Sequence, residues 1–448
     1  MKKKGILLLG SLTLMVVAMV FITVTLVTRA NVSPEPSDAA SLNKKKAVSI
    51  SSVSSSSKTS VKGMYTFLPY QLSNNVFNNF ARGLNNNGYS VGSMVSQNSY
   101  PTPAIWDPKG NQVYLPNIGA GVYRFSGIND SNVIIAKSED YYAGKVTAVK
   151  YSTSTGMINL KGLNNTILPK PIMRPINNFN KTNEPNFILS EDTQPTYINK
   201  DGDIVGFSNK KAVLWLNEKT DPINISTYLR MKEPNIYSEA NYISDRKDGV
   251  VTIVGRIIDS TVQFLPQYKM YLLQYSVTTQ KIISYTLQED INKEKLQLIE
   301  PKKILSDGSI ATNYVTQSEK GTYRWDAYIF KNAKFSEYIM LKDILGKVGI
   351  TSSTFWMVDI NDSTILGYYG LDDDLGNIRY FIANFKTNKV DFVDDLITSG
   401  QIIGYENTSL KWFHPDFINS SGEIIVTVED YTNPQPLRYP AKLSPINQ

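Results

Sequence analysis

Pro195-Thr196-Tyr197-Ile198-Asn199-Lys200-Asp201-Gly202-Asp203-Ile204-Val205-Gly206-Phe207-Ser208-Asn209-Lys210-Lys211-Ala212-Val213-Leu214-Trp215-Leu216 holds two strand-like runs joined by turns. Asn199 to Asp203 supplies an Asp-Gly corner, where Gly202 takes positive φ at no steric cost. Ile204-Val205 and Val213-Leu214, with Trp215 behind them, suit a pleated, half-buried surface. A lone hairpin of this kind is marginal in water and must stack on something.

The chain repeats it. Leu84 to Ser93, Ile128 to Ile135, Ser244 to Gly255, Ser306 to Ile310, Ile360 to Gly367 and Ile418 to Ile425 echo the same corner, which makes seven copies. Most are followed by an aromatic-ended strand, as in Ala104-Ile105-Trp106 and Ala327-Tyr328-Ile329-Phe330. The turn positions Gly88, Asn132, Gly202, Gly249, Gly308, Ser363 and Gly422 lie 44, 70, 47, 59, 55 and 59 residues apart. Periods of this size with several strands per unit predict a β-propeller, here of about seven four-stranded blades spanning 63–448. A radial repeat also lets 448 residues exceed the roughly 250–300 that one core serves.

Residues 1–30 have a different character. Met1 to Lys4 is basic, and Ile6 to Val27 is apolar and would span about 33 Å as a helix, enough for a bilayer core. This predicts an N-terminal transmembrane signal anchor, membrane-tethered with the bulk of the chain exported to the periplasm or cell surface, or secreted if cleavage occurs after Ala30. Residues 31–62, rich in Ser, Pro and Lys, read as a flexible linker. Residues 1–62 hold nine Lys or Arg against Glu35 and Asp38, a net +7 that leaves −1 of the total +6 for the remainder. The basic balance is therefore no argument for nucleic acid. Cysteine is absent, which excludes disulfides, thiolate metal sites and cysteine nucleophiles.

Met64-Tyr65-Thr66-Phe67-Leu68 lacks a partner in its own repeat and is expected beside Leu437–Leu443, closing the ring. Gly162 to Gln194 is a long Pro- and Asn-rich interval, either functional, disordered or a degenerate blade. Asn292 to Ile304 and Leu341 to Val348 read as short helical excursions.

The pattern Ile-Asn-x-x-Gly-x-Val-Val-Gly, then a strand entered through Ala and ended by an aromatic, resembles the extracellular repeat family named for its His-Ala-Phe signature. Ile198–Gly206 with Ala212 to Trp215, and Leu84–Gly92 with Ala104 to Trp106, carry the resemblance over about residues 64–444. The His is replaced by Pro103, Thr147, Lys211 and Asp326. The resemblance implies an exported, propeller-like architecture and transfers no catalytic residue.

Chemistry is sparse. One histidine, His414 in Trp412-Phe413-His414-Pro415, excludes multi-His metal sites and reads as a packed or surface residue. Asp372, Asp373 and Asp374 are the best carboxylate cluster for Ca²⁺ but lack the spaced order of a calcium loop and read first as a solvated loop tip. No catalytic pair, cofactor motif or Ser-x-Asp-x-Gly-x-Thr-Trp box stands out. The sequence therefore reads as a non-enzymatic binding or scaffold protein at the cell envelope, with an unidentified protein or carbohydrate ligand. The alternative is a carbohydrate-active hydrolase using carboxylates at the channel mouth, distinguished by two or three carboxyls converging on one pocket.

Overall fold

Around Gly202 the chain folds as Glu191–Ile198, Ile204–Ser208, Lys211–Trp215 and Ile223–Asn224, each strand antiparallel to the next. Asn209 and Lys210, with φ of 47° and 67°, make the primed two-residue turn between the middle strands. Val205, Val213, Leu214 and Trp215 are fully buried. The computed structural model describes residues 64–446 except 72–75, 97–100, 116–121, 141–144, 164–190, 218, 230–235, 260–266, 289–294, 318–322, 353, 372–373, 405–409 and 432–436. The expected anchor (1–30) and linker (31–62) lie outside the described residues, as does most of the 162–194 interval. Among the described residues no helix is long and apolar enough to cross a membrane.

The same meander recurs seven times. Its first strands are Val76–Leu84, Val122–Ile128, Glu191–Ile198, Ile236–Ile243, Lys295–Ile304, Phe355–Ile360 and Leu410–Ile418. Each touches the first strand of the next meander, and the seventh touches the first, so these strands form a closed circle about one axis. The later strands of each meander run outward from it. The apolar clusters span neighbouring meanders: Val205, Leu214 and Leu216 pack with Val251, Ile253 and Leu273. Tyr65–Pro69 pairs antiparallel with Leu437–Pro445, from Tyr65 opposite Pro445 to Pro69 opposite Ala441, so the first and last described strands meet in one sheet.

The protein is an all-β propeller, but the expectation of about seven separate four-stranded blades is corrected. Its described strands hydrogen-bond into five sheets, of nine, eight, four, four and four strands, which counts as five blades. Two parallel contacts cause the fusion. Glu191 and Asp192 pair with Lys145 and Val146, joining the second and third meanders, and Asn78 pairs with Arg438, joining the seventh and first. The helix expected at 292–304 is also corrected: Lys295–Ile304 is the innermost strand of the fifth meander. Pairing with Ile310–Gln317 overrides its local propensity. The helix Leu341–Gly346 does form, burying Leu341, Ile344 and Leu345.

One irregularity is common to all seven inner strands. Pairing skips one residue between Ala81 and Gly83, Phe125 and Gly127, Pro195 and Tyr197, Ala240 and Tyr242, Pro301 and Lys303, Met357 and Asp359, and Pro415 and Phe417. Such β-bulges bend a strand and re-aim its side chains, and they accept proline because a ladder bond is already lost. Opposite the bulge the second strand carries Gly92, Gly206, Gly255 and Gly367 in four meanders and Ala136, Thr312 and Val426 in the other three. A Cβ on Gly92 would lie 1.8 Å from Phe80 O, and one on Gly206 would lie 2.0 Å from Gln194 O. The glycine ending the Val-Val-Gly pattern is therefore a close-approach position.

Candidate binding channel

The circle of inner strands is laced at one end by short polar side chains. Just after each inner strand, Asn85, Asn129, Asn199, Asn361 and Asn419 recur, with exposures of 3, 5, 2, 7 and 3 %. Each Oδ1 accepts a backbone N–H from its own turn, such as Val133 N on Asn129 at 2.9 Å and Asp203 N on Asn199 at 2.8 Å. Each Nδ2 donates to a carbonyl of the following meander. The links are Asn85 to Asn129 O at 2.9 Å, Asn129 to Asn199 O at 3.0 Å and Asn199 to Ser244 O at 2.9 Å. Asn361 reaches Asn419 O at 2.9 Å, and Asn419 closes onto Asn85 O at 3.1 Å. A second layer lies one residue further on, where Asp130, Asp245 and Asp362 accept from Asn86 N, Lys200 N and Ser306 N at 2.8, 3.0 and 2.9 Å.

Ser244 and Leu305 occupy the asparagine position in the fourth and fifth meanders, and other residues carry those joints. Arg256 donates to Ile299 O at 3.1 Å while holding Glu239 at 2.7 Å. Asn313, fully buried, donates to Met357 O at 2.8 Å and accepts from Met357 N at 3.0 Å.

Two residues before the asparagine position stand Gly83, Gly127, Tyr197, Tyr242, Lys303, Asp359 and Phe417. The rings of Tyr197 and Tyr242 lie with centroids 3.8 Å apart, and Tyr242 donates to the Tyr197 hydroxyl at 2.8 Å. Burial first, and then the carboxylates of Asp359 and Asp245, push both hydroxyls well above the ordinary phenol range. Tyr197 also feels Asp130. Those carboxylates stand on the sixth, fourth and second meanders.

The inner-strand carboxylates Glu239, Glu300, Asp359 and Asp416 are each hydrogen-bonded. Glu239 pairs with Arg256 Nε at 2.7 Å and Glu300 with Lys302 at 2.7 Å. Asp359 accepts from Ile360 N at 2.8 Å and Ile418 N at 2.9 Å. Asp416 accepts from Thr427 Oγ1 at 2.6 Å, and burial lifts its carboxyl to about 7 against the pull of that bond and of Arg82. Each carboxyl has a partner of its own.

His414 lies on the seventh inner strand, where its Nδ1 hydrogen-bonds the Tyr380 hydroxyl and the rings meet edge to face at 4.7 Å. Burial pulls its pKa down, opposed by Glu429 and assisted by Arg438. The histidine is packed in the joint between the sixth and seventh meanders. Gly88, Gly202, Gly308 and Gly422 take φ of 79°, 86°, 82° and 82°, three residues after the asparagine position. Gly249 (φ 74°) differs: with Asp248 (φ 53°) it forms the tip of a longer excursion, five residues after Ser244. Asp372 and Asp373 lie outside the described residues, and Asp374 opens the strand Asp374–Asn384. Among the described residues no three His, Cys, Asp or Glu are grouped to hold a metal. Attention to the glycines missed the asparagines, although Ile-Asn at 128–129, 198–199, 360–361 and 418–419 carries the signal.

No family model matches the chain, and no curated protein matches it. Solved structures similar to it are of low identity. The β-propeller domain of the Trilobed protease from Pyrococcus furiosus, described as having an open velcro topology, is 11% identical. The match covers 83% of this chain and 98% of that one, with a TM-score of 0.48. Trypanosoma rangeli sialidase is 9% identical over 84% of this chain and 57% of that one, with a TM-score of 0.32. The α-L-arabinofuranosidase PaAbf62A of Podospora anserina is 9% identical over 86% and 98%, with a TM-score of 0.27.

Proposed function

We propose that this propeller is a non-enzymatic binding or scaffold module working outside the cytoplasm at the cell envelope, held at the membrane through residues 1–30. The observation that carries the reading is the separate pairing of the channel carboxylates. A hydrolase that uses two carboxyls needs them facing one bond, roughly 5–10 Å apart and differently protonated. Here Glu239, Glu300, Asp359 and Asp416 are each held by a different partner on a different inner strand. The basic and apolar N-terminal sequence and the exported-repeat pattern support the location.

The carbohydrate-active hydrolase keeps one observation in its favour, the raised carboxyl of Asp416 on the strand that carries His414. One experiment separates the two readings. Full-length protein is incubated with envelope polysaccharides, and both retention on the polymer and release of reducing ends are measured. Retention without release is expected. Release that disappears in Asp416→Asn would establish the hydrolase instead.

A further inference from the structure

Each meander ends outward on a strand with a partner on one side, and exposed strand edges of that kind recruit further strands unless they are blunted. Among the described residues six of the seven are blunted. Gln112–Val113, Gly156–Asn159, Ile223–Asn224, Tyr338–Met340 and Lys389–Phe392 hold only two, four, two, three and four residues. The last three run straight into the short helices Ile225–Tyr228, Leu341–Gly346 and Val393–Thr398. In the seventh meander the edge strand Tyr65–Pro69 is covered by Ile402–Ile403.

The fourth meander is the exception. Its outermost strand, Lys281–Leu287, is seven residues long. It pairs with Gln267–Ser276 on one side and has no strand on the other among the described residues. Lys281, Ile283, Ser284 and Thr286 are exposed, Ile283 at 56 %. Ile282, Tyr285 and Leu287 are half-buried against the cluster that holds Tyr271, Leu273 and Tyr275. Pairing skips Ile283, a bulge, and is regular from Ser284 opposite Gln274 to Leu287 opposite Tyr271. After Lys281 the strand carries neither charge nor proline, two common guards of an edge.

We infer that this edge joins a second copy of the same chain, antiparallel, about a two-fold axis near Tyr285. Three features select that occupant. The chain beyond residue 62 carries a net charge of only −1, so copies meet without long-range repulsion. The lone Lys281 sets the direction: an antiparallel pair holds the two lysines roughly 20 Å or more apart, at about 3.3 Å per residue, whereas a parallel pair sets them side by side. The antiparallel pair also places Ser284 of one copy opposite Thr286 of the other, a hydroxyl pair that suits facing strands. Such a contact is isologous and closes on itself, leaving no free edge. It is small, so the pair is weak and concentration-dependent.

The chain has no cysteine, so one introduced thiol reports its neighbour without background. Ser284→Cys, Lys281→Cys and, on another sheet, Ile403→Cys are exposed positions. Each full-length variant is treated with a short bismaleimide, in expressing cells and after purification, and crosslinked species are read by mass. Ser284→Cys should give a species of twice the chain mass, at several times the yield of the other two. Thr286→Lys in the Ser284→Cys background sets two like charges close to the axis and should lower that yield about tenfold or more. Melting should not move, since Thr286 is exposed. Equal yields at the three positions, or a yield that Thr286→Lys leaves unchanged, overturns the inference. So does an adduct of Ser284→Cys with another protein in cells, which would mean that a foreign strand occupies the edge.

Discussion

The ring is closed by two different devices, and the contrast between its two arcs is instructive. From the sixth meander through the seventh, first and second to the third, one short side chain repeats, and every joint is an asparagine amide reaching a neighbour's carbonyl. From the fourth to the sixth the joints are individual: an arginine bridging a glutamate and a carbonyl, then Asn313 clasping both backbone groups of Met357. Both satisfy buried backbone groups between sheets that share no ladder there. The first device reuses a local turn, so it can be copied along the chain. The second draws on second strands that differ between copies.

The largest effect expected bears on what the arcs share. Gly206→Ala sets a Cβ 2.0 Å from Gln194 O. It should cost more than about 4 kcal/mol and leave little folded protein, since backbone cannot yield there. Gly308→Ala meets nothing within 4 Å and strains only its φ of 82°, so about 1–2 kcal/mol is expected. Denaturant midpoints of the two variants check this, and equal losses would mean that the bulges are not what requires glycine.

Next come the joints themselves. Asn313→Ala strands two buried backbone groups with no equivalent elsewhere in its arc and should cost about 3 kcal/mol. Asn129→Ala removes bonds to Ser131 N, Val133 N and Asn199 O, but its neighbours repeat the device, so about 2 kcal/mol is expected. Should Asn129→Ala prove the more damaging by equilibrium unfolding, the laced arc is the less redundant of the two.

A pH slope is expected at the seventh meander, inside the laced arc. Asp416 titrates near 7 in the folded chain, above its ordinary value near 4. Between those values the folded state holds a proton that the unfolded state has released. Stability from this group is therefore full below pH 4 and lost as pH rises through 7. His414, pulled down by burial, acts in the opposite sense around its ordinary value of 6.5. Asp416→Asn should flatten the fall between pH 4 and 7, read from urea midpoints across that range. An unchanged slope would show that Asp416 is not its source.

Much of the propeller was legible because its corners are local. Gly88, Gly202, Gly308 and Gly422 need positive φ whatever surrounds them, and the burial of Trp106 and Trp215 follows from their place at the ends of apolar strands. The candidate site was far less legible. Arg82, Asn241 and Asp416 share no residue type and have no common motif. They share only the bulge, visible as a skipped pairing. His414 was readable as packed, but its partner Tyr380 lies 34 residues away on another sheet.

By itself the order of residues determined the all-β repeat, its period and the turn chemistry, since these depend on backbone preferences within a few residues. Tertiary structure alone decided that two pairs of meanders fuse to leave five sheets, that asparagines rather than glycines lace the ring, and which side chains face the axis. Those outcomes rest on hydrogen bonds between residues tens to hundreds of positions apart, where burial leaves a polar group one available partner.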